Sequence, residues 1–272
     1  RLDRRRIGRC ELTFGLFRYT CAWHLDGLCR KSAFLTPIFE EVARTGSTNA
    51  DLLLRAAQGA PEGLWLRADA QDGGRGRLGR AWESPKGNLF ASSVVRVRDT
   101  DPSPAGLAFV TAVAVYDAIR HIAPQVQLIL KWPNDILAHD GSKLCGILLE
   151  RASDAVVVGI GLNLVWHPQN LNRKVSDLLA LGATPPDAQT ALEIVAEAFA
   201  RYLNVWRQSG LGTIVRHWEA HAHPRGTALS AKLPDGEEVD GLYTGLDDDG
   251  ALRLRLADGS IRAIHAADVF LI

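Results

Sequence analysis

Three arginines and three glycines fall within seven residues at Gly74-Arg75-Gly76-Arg77-Leu78-Gly79-Arg80. A guanidinium presents a planar fork that fits carboxylate or phosphate, and glycine frees the backbone to fold over such a ligand. The string literally matches G-x-G-x-x-G. A dinucleotide-binding turn, however, needs its third glycine to open a helix and holds phosphate with backbone N–H groups. Here the loop runs instead into Ala81-Trp82-Glu83-Ser84-Pro85-Lys86-Gly87-Asn88, which is no long helix. From the loop alone three readings stay open: a mobile clamp over a charged ester, a solvated basic turn, or a nucleic-acid patch. The last lacks interleaved aromatic residues.

A second constellation narrows the choice. Lys131-Trp132-Pro133-Asn134-Asp135 stands at the end of an apolar strand, where Pro133 fixes a sharp exit. The chain has only six lysines against 25 arginines. Where lysine survives that bias, a compact point charge is called for rather than a fork. An ammonium at the end of a buried strand needs an anion to meet it. A third segment, Lys143-Leu144-Cys145-Gly146-Ile147-Leu148-Leu149-Glu150, opens with another of the scarce lysines; its Glu150 reads either as a partner to the site or as a surface carboxylate. In Gly159-Ile160-Gly161-Leu162-Asn163 the glycines allow close approach to the backbone and Asn163 offers one amide. Ser47-Thr48-Asn49 supplies hydroxyls and an amide, with helix capping as the alternative for one hydroxyl.

These groups must be positioned by regular elements. Periodicity predicts helices over Ala50–Gln58, Pro104–Ile122, Val175–Leu181, Ala188–Ser209 and Gly212–His221. It predicts strands over Leu64–Ala68, Leu89–Val97, Val126–Lys131, Leu144–Arg151 and Ala155–Ile160. After Pro224 five short alternating strands follow: Thr227–Leu233, Glu237–Leu246, Ala251–Leu256, Ile261–His265 and Asp268–Leu271. The expected class is α+β: a mixed-sheet catalytic domain with packed helices over 37–223, and a small all-β, barrel-like domain over 224–272. Strand edges near 144–160 would permit a homodimer.

Composition removes other classes. The 272 residues are 47% hydrophobic and 23% charged, with 31 basic residues balancing 31 acidic ones, so no global field recruits nucleic acid or a membrane surface. No run approaches the roughly 18 apolar residues a spanning helix needs. Residues 1–36 carry seven Arg, one Lys and three acids, together with Cys10, Cys21 and Cys29, and read as an extension outside the working fold. Neither a secretory signal nor a transit peptide fits that stretch well. Few cysteines, in no zinc or disulfide spacing, favour a reducing cytoplasm.

Taken together, the motifs from Ser47 to Asn163, with the β-rich C-terminal region, resemble the biotin protein ligases. The resemblance implies an enzyme that activates biotin with Mg-ATP to biotinyl-5′-adenylate and transfers biotin to a lysine of a carboxyl carrier domain of acetyl-CoA carboxylase or another biotin-dependent carboxylase. It implies no tightly bound organic cofactor. Lys131 and Arg75 would be catalytic; Ser47, Thr48, Asn49, Gln71, Arg75, Gly76, Arg77 and Lys131 would bind biotin. Gly74, Arg77, Arg80, Trp82, Asn134, Lys143, Gly161 and Asn163 would border ATP or the adenylate, and Asp135 would help hold Mg²⁺. Larger family members carry a winged helix-turn-helix; residues 1–36 are too short for one, so a ligase without repressor function is expected. The nearest rivals are a lipoate or octanoyl ligase or transferase of related fold, and a non-catalytic biotin-sensing module.

Overall fold

The structure, a computed structural model, describes residues 12–14, 17–19, 36–169 and 171–272. Strands β1 (Leu12–Phe14) and β2 (Phe17–Tyr19) pair antiparallel within a first unit, Arg1–Ala33. The remainder of the expected N-terminal extension lies outside the described residues, and with it the three cysteines and the targeting reading.

The second unit, Phe34–Ile272, is built on a seven-stranded sheet. Its strands are β3 (Ile38–Thr45), β4 (Leu64–Gln71), β5 (Leu89–Arg96), β6 (Leu128–Lys131), β7 (Asp135–Ala138), β8 (Lys143–Ala152) and β9 (Ala155–Leu162). The order is β3-β4-β5-β9-β8-β7-β6, and only β3 and β4 run parallel. A parallel pair needs a crossover, and helix α1 (Thr48–Ala57) supplies it. Ser47 is the N-cap of α1, its hydroxyl accepting the Ala50 N–H.

Alternation along the central strands sorts side chains to two faces. Leu52 and Ala56 of α1 pack with Leu64, Leu66, Val94 and Val157. On the other face Trp65, Val95, Val156, Val158 and Ile160 join the main core with helices α2 (Leu107–Ile122), α3 (Ala188–Ser209) and α4 (Leu211–Glu219). The stretch Pro104–Ile122 is in fact long and apolar enough by composition to cross a membrane, contrary to the expectation of no such run. Its residues are mostly buried against α3, α4 and the sheet, so its apolarity serves the core.

The five C-terminal strands form where expected: β10 (Ala228–Lys232), β11 (Glu238–Leu246), β12 (Leu252–Arg255), β13 (Ile261–Ile264) and β14 (Asp268–Leu271), an antiparallel sheet in the order β13-β12-β11-β10-β14. Its Leu229, Tyr243 and Leu254 belong to the same core as α2 and α4.

Three expectations change. Val175–Leu181 is not a helix. The Lys143 N–H donates to the Lys174 carbonyl and the Ser176 N–H to the Lys143 carbonyl, which draws 174–176 out as an extended partner for β8. Two strands were not foreseen: β3, largely solvent-facing at the sheet edge, and the four-residue β7 directly after Pro133-Asn134. The strands near 144–160 offer no free edge, because β8 and β9 are interior; the edges are β3 and β6, and β6 is partly covered by the Leu130 N–H bond to the His221 carbonyl.

Arg207 ties the end of α3 to two loops. It donates to Glu62 at 2.6 Å, Asp101 at 3.2 Å and the Arg96 carbonyl at 2.9 Å, all three side chains being at most 12% exposed. Removing one member of a buried ionic cluster strands the others, so Arg207→Met should cost about 3 kcal/mol in denaturant unfolding.

Candidate functional site

On the α1 face of the sheet lies a cavity of about 620 Å³. Its walls are the N-terminus of α1, the arginine loop, the β6–β7 turn, parts of β8 and β9, the segment 171–174, and β14 of the C-terminal sheet. Its lining contains seven cations (Arg75, Arg77, Arg80, Lys131, Lys143, Arg173 and Lys174) against two carboxylates (Asp135 and Asp268), an excess of five positive charges. Low-dielectric walls focus such a field, so the cavity selects anions.

The arginine loop is an irregular hairpin rather than an open loop. Bridges Gln71↔Ser84 and Arg75↔Ala81 continue β4, and the Trp82 N–H donates to the Gly74 carbonyl at 2.9 Å. Its tip, Arg77–Gly79, turns through left-handed backbone at Leu78 (φ 55°) and Gly79 (φ 70°). The three guanidinium groups take different anchors. Arg75 donates to Glu150 at 3.1 Å, Arg77 donates to the Ala267 carbonyl at 3.3 Å, and Arg80 pairs with Asp268 on β14. Burial opposes ionisation of Asp268, yet the Arg80 pair, with Arg77 and Lys131 nearby, holds its carboxyl below the usual range.

Lys131 and Asp135 face each other in register across the β6–β7 turn. The Asp135 carboxylate is taken by Lys143, a buried lysine lying over the Trp82 ring at 5.3 Å. Burial pushes the amines of Lys131 and Lys143 below the ordinary lysine value, and Asp135 only partly counters it. Lys131 has no ion-pair partner among the described residues; its ammonium lies 5.6 Å from the Phe270 ring centroid. Asn134 closes the turn, donating to the Ile147 carbonyl at 2.5 Å and accepting the Ile147 N–H at 3.0 Å.

A polar set lines the same cavity. Gln71 Oε1 accepts the Thr48 N–H at 2.9 Å, and its Nε2 donates to Ser84 at 3.0 Å. The Thr48 and Ser92 hydroxyls are 2.7 Å apart, and Ser92 donates to Asn49 Oδ1 at 2.6 Å. Thr48, Asn49, Gln71 and Ser92 hold one another in place and line the cavity. The glycines of β8 and β9 make room for this arrangement. A Cβ on Gly161 would stand 2.7 Å from Trp82 ring atoms, one on Gly146 2.9 Å, and one on Gly159 would strike Asn49. In the structure, then, the glycine approach is occupied by Trp82 and Asn49.

Most residues singled out from the sequence line this one cavity. Gly74 and Asn163 do not. Gly74 is hemmed in by Trp82 and Ser84, and the Asn163 amide donates to the Ser176 carbonyl at 2.9 Å, fastening the segment that follows β9. Trp132 is core, its indole N–H donating to the Gly250 carbonyl at 3.0 Å. Sequence reasoning missed Ser92, Arg173, Asp268 and Phe270. Ser92 sits in the strand expected over Leu89–Val97, and period-2 alternation could have placed it; the other three come from segments outside the motifs. No cluster of three metal-ligating side chains occurs among the described residues. That donor set suits a cation brought in by a ligand's own oxygens, with at most Asp135 assisting.

Comparison with known proteins identifies the family. Residues 42–164 match the biotin/lipoate A/B protein ligase family and residues 230–272 match the biotin protein ligase C-terminal domain. A biotin--[acetyl-CoA-carboxylase] ligase of Paracoccus denitrificans is 38% identical over 246 residues, covering 84% of this chain and 98% of that protein. One of Mycobacterium tuberculosis is also 38% identical, over 234 residues, covering 84% and 86%. The fold is that of an Aquifex aeolicus biotin protein ligase solved with biotin and ATP, at a TM-score of 0.77, 24% identity, and coverage of 86% and 99%.

The packing of Trp82 gives a direct check. Gly161→Val drives a branched side chain into the indole and should cost about 1–3 kcal/mol in denaturant unfolding, as overpacking does. Gly212→Ala, inside α4 with its nearest contact a flexible arginine tip 3.8 Å away, should instead stabilise by about 0.5–1 kcal/mol.

Proposed function

The chain belongs to the biotin protein ligase family, and from that premise we infer that this cavity joins biotin to ATP and then hands the biotinyl group to a carrier lysine. The observation that carries the reading is Lys131, an ammonium held in a half-buried cationic cavity with no carboxylate of its own among the described residues. Such a charge needs an anion, and this reaction brings two.

In the first step a biotin carboxylate oxygen attacks the α-phosphorus of ATP. The bond from the α-phosphorus to the bridging oxygen breaks, and pyrophosphate leaves with the electron pair. Two anions must approach, so repulsion is the main barrier, and fixed cations lower it without reorganising. Lys131 bridges the carboxylate and the α-phosphate. Arg75 and Arg77 cover the adenylate from the loop side, and Lys143 keeps Asp135 and the Trp82 wall in register. Thr48, Gln71 and Ser92 present donors and acceptors to the ureido ring, which has one acceptor and two donors; a site of this kind rejects acids lacking that ring. Mg²⁺, arriving with ATP, would offset phosphate charge, with Asp135 the side chain that could help hold it.

In the second step the amine of the acceptor lysine attacks the biotinyl carbonyl carbon, AMP departs, and the amine gives up a proton as the amide forms. The acceptor is a biotin carboxyl carrier domain. A reducing cytoplasm suits the one cysteine among the described residues, the buried free thiol Cys145.

Two expected outcomes test the assignment. Lys131→Ala should slow biotinyl-adenylate formation by about a hundredfold or more in single-turnover assays, the loss of about 3 kcal/mol of transition-state stabilisation. Because burial lowers the Lys131 pKa, the charged form is lost as pH rises through a value below the ordinary 10.5. Adenylation should therefore fall on an alkaline limb lying below that of an exposed lysine. Lys131→Arg stays charged and should move the limb upward at a reduced rate; a limb unmoved in that variant would contradict the role.

A further inference from the structure

Glu150 is the strand carboxylate that the sequence left between site partner and surface charge, and the reaction as written does not use it. It sits on β8, paired in register with Val157 of β9, on a rigid central strand. Its two oxygens go to two different parts of the site. One accepts from Arg75 Nη2 at 3.1 Å, the other from Asn49 Nδ2 at 2.8 Å. Of the three loop arginines, Arg75 is the one that reaches β8; Arg77 and Arg80 are anchored to the C-terminal sheet. Asn49 has both ends engaged as well, since its Oδ1 accepts from Ser92, and Gly159 leaves the space it occupies. Asn49 is therefore a strut between α1, β5 and Glu150 rather than a free reader of a ligand ring.

We propose that Glu150 is a positioning residue of the ligase: it holds Arg75 over the cavity, and the start of α1 through Asn49, in the arrangement that receives the carboxylate end of biotin. A guanidinium has five N–H donors, and Glu150 engages one, so the rest stay available to a ligand anion. Without that counter-charge Arg75 faces Arg77, Arg80, Lys131, Lys143 and Arg173 across one cavity, and the glycine-rich hairpin has every reason to swing outward. The role rests on the biotin-ligase reading above.

Glu150→Gln separates the two contacts. Its amide oxygen still accepts from Asn49, but the charge that holds Arg75 is gone. The whole chain is treated with trypsin, and the rate of cleavage at the bonds after Arg75, Arg77 and Arg80 is followed by mass spectrometry, with and without biotin. Without ligand, Glu150→Gln should be cut in the loop about two to five times faster than the parent, the upper range for losing a partly exposed ion pair. Its KM for biotin should rise by a similar factor with kcat within about twofold, while its thermal midpoint stays at the parent's. Glu150→Ala, losing both contacts, should raise KM further. Loop cleavage and KM of Glu150→Gln equal to the parent's would overturn the proposal. Failure of biotin to protect the parent loop would overturn the underlying biotin reading instead, a distinguishable result because ligand-free cleavage is measured independently.

Discussion

Seven cationic side chains share one cavity, and their mutual repulsion is the constraint to which the rest of the unit answers. Unpaired, they would drive the loop and the β6–β7 turn apart. The fold supplies three carboxylates from three different strands, each taking one cation: Asp135 of β7 takes Lys143, Asp268 of β14 takes Arg80, and Glu150 of β8 takes Arg75. Among the described residues Arg77, Lys131, Arg173 and Lys174 are left without a carboxylate, and of these Lys131 lies beside an aromatic ring that cannot neutralise it. Three of the seven cations are thus held by the scaffold's own anions, and Lys131, on the end of β6, is among those left for a ligand.

Holding charges at fixed points requires stiff supports. Lys131, Asp135, Lys143 and Glu150 all lie on strands of a sheet whose far face is a closed apolar core with α2, α3 and α4. The near face is kept low by Gly146, Gly159 and Gly161, so that Trp82 and Asn49 lie directly on the backbone. The C-terminal sheet is part of the same arrangement rather than an attachment, since β14 carries Asp268 and Phe270 into the cavity wall and the Gly250 carbonyl receives Trp132.

Much of this was legible because local chemistry and local structure agree. The five C-terminal strands fall between strong turn signals, and Ala188–Ser209 is a helix whose apolar face and Asp187 cap leave one solution. The arginine loop and the lysine of β6 were legible as chemistry because few structural reasons would place them there. What stayed hidden depends on pairing between distant segments. Strand β7 is four residues long and follows a proline, so no periodicity announces it; Lys131 in register opposite Asp135 defines it. Val175–Leu181 reads as a helix, but its start is drawn straight by the backbone of Lys143. Asp268 and Phe270 belong to a strand that looks ordinary by itself, and only the packing of the second sheet brings them to Lys131. Asn163 misled in the opposite direction, since its amide serves a carbonyl of its own connecting segment.

The measurement that bears most directly on the account is exchange of labelled pyrophosphate into ATP by the purified chain, run with biotin, lipoate and octanoate in parallel. The proposed function, which joins two anions in this cavity and reads a ureido ring with its polar set, predicts exchange driven by biotin and none by the other two acids. Exchange with lipoate or octanoate, or none with biotin, would contradict it.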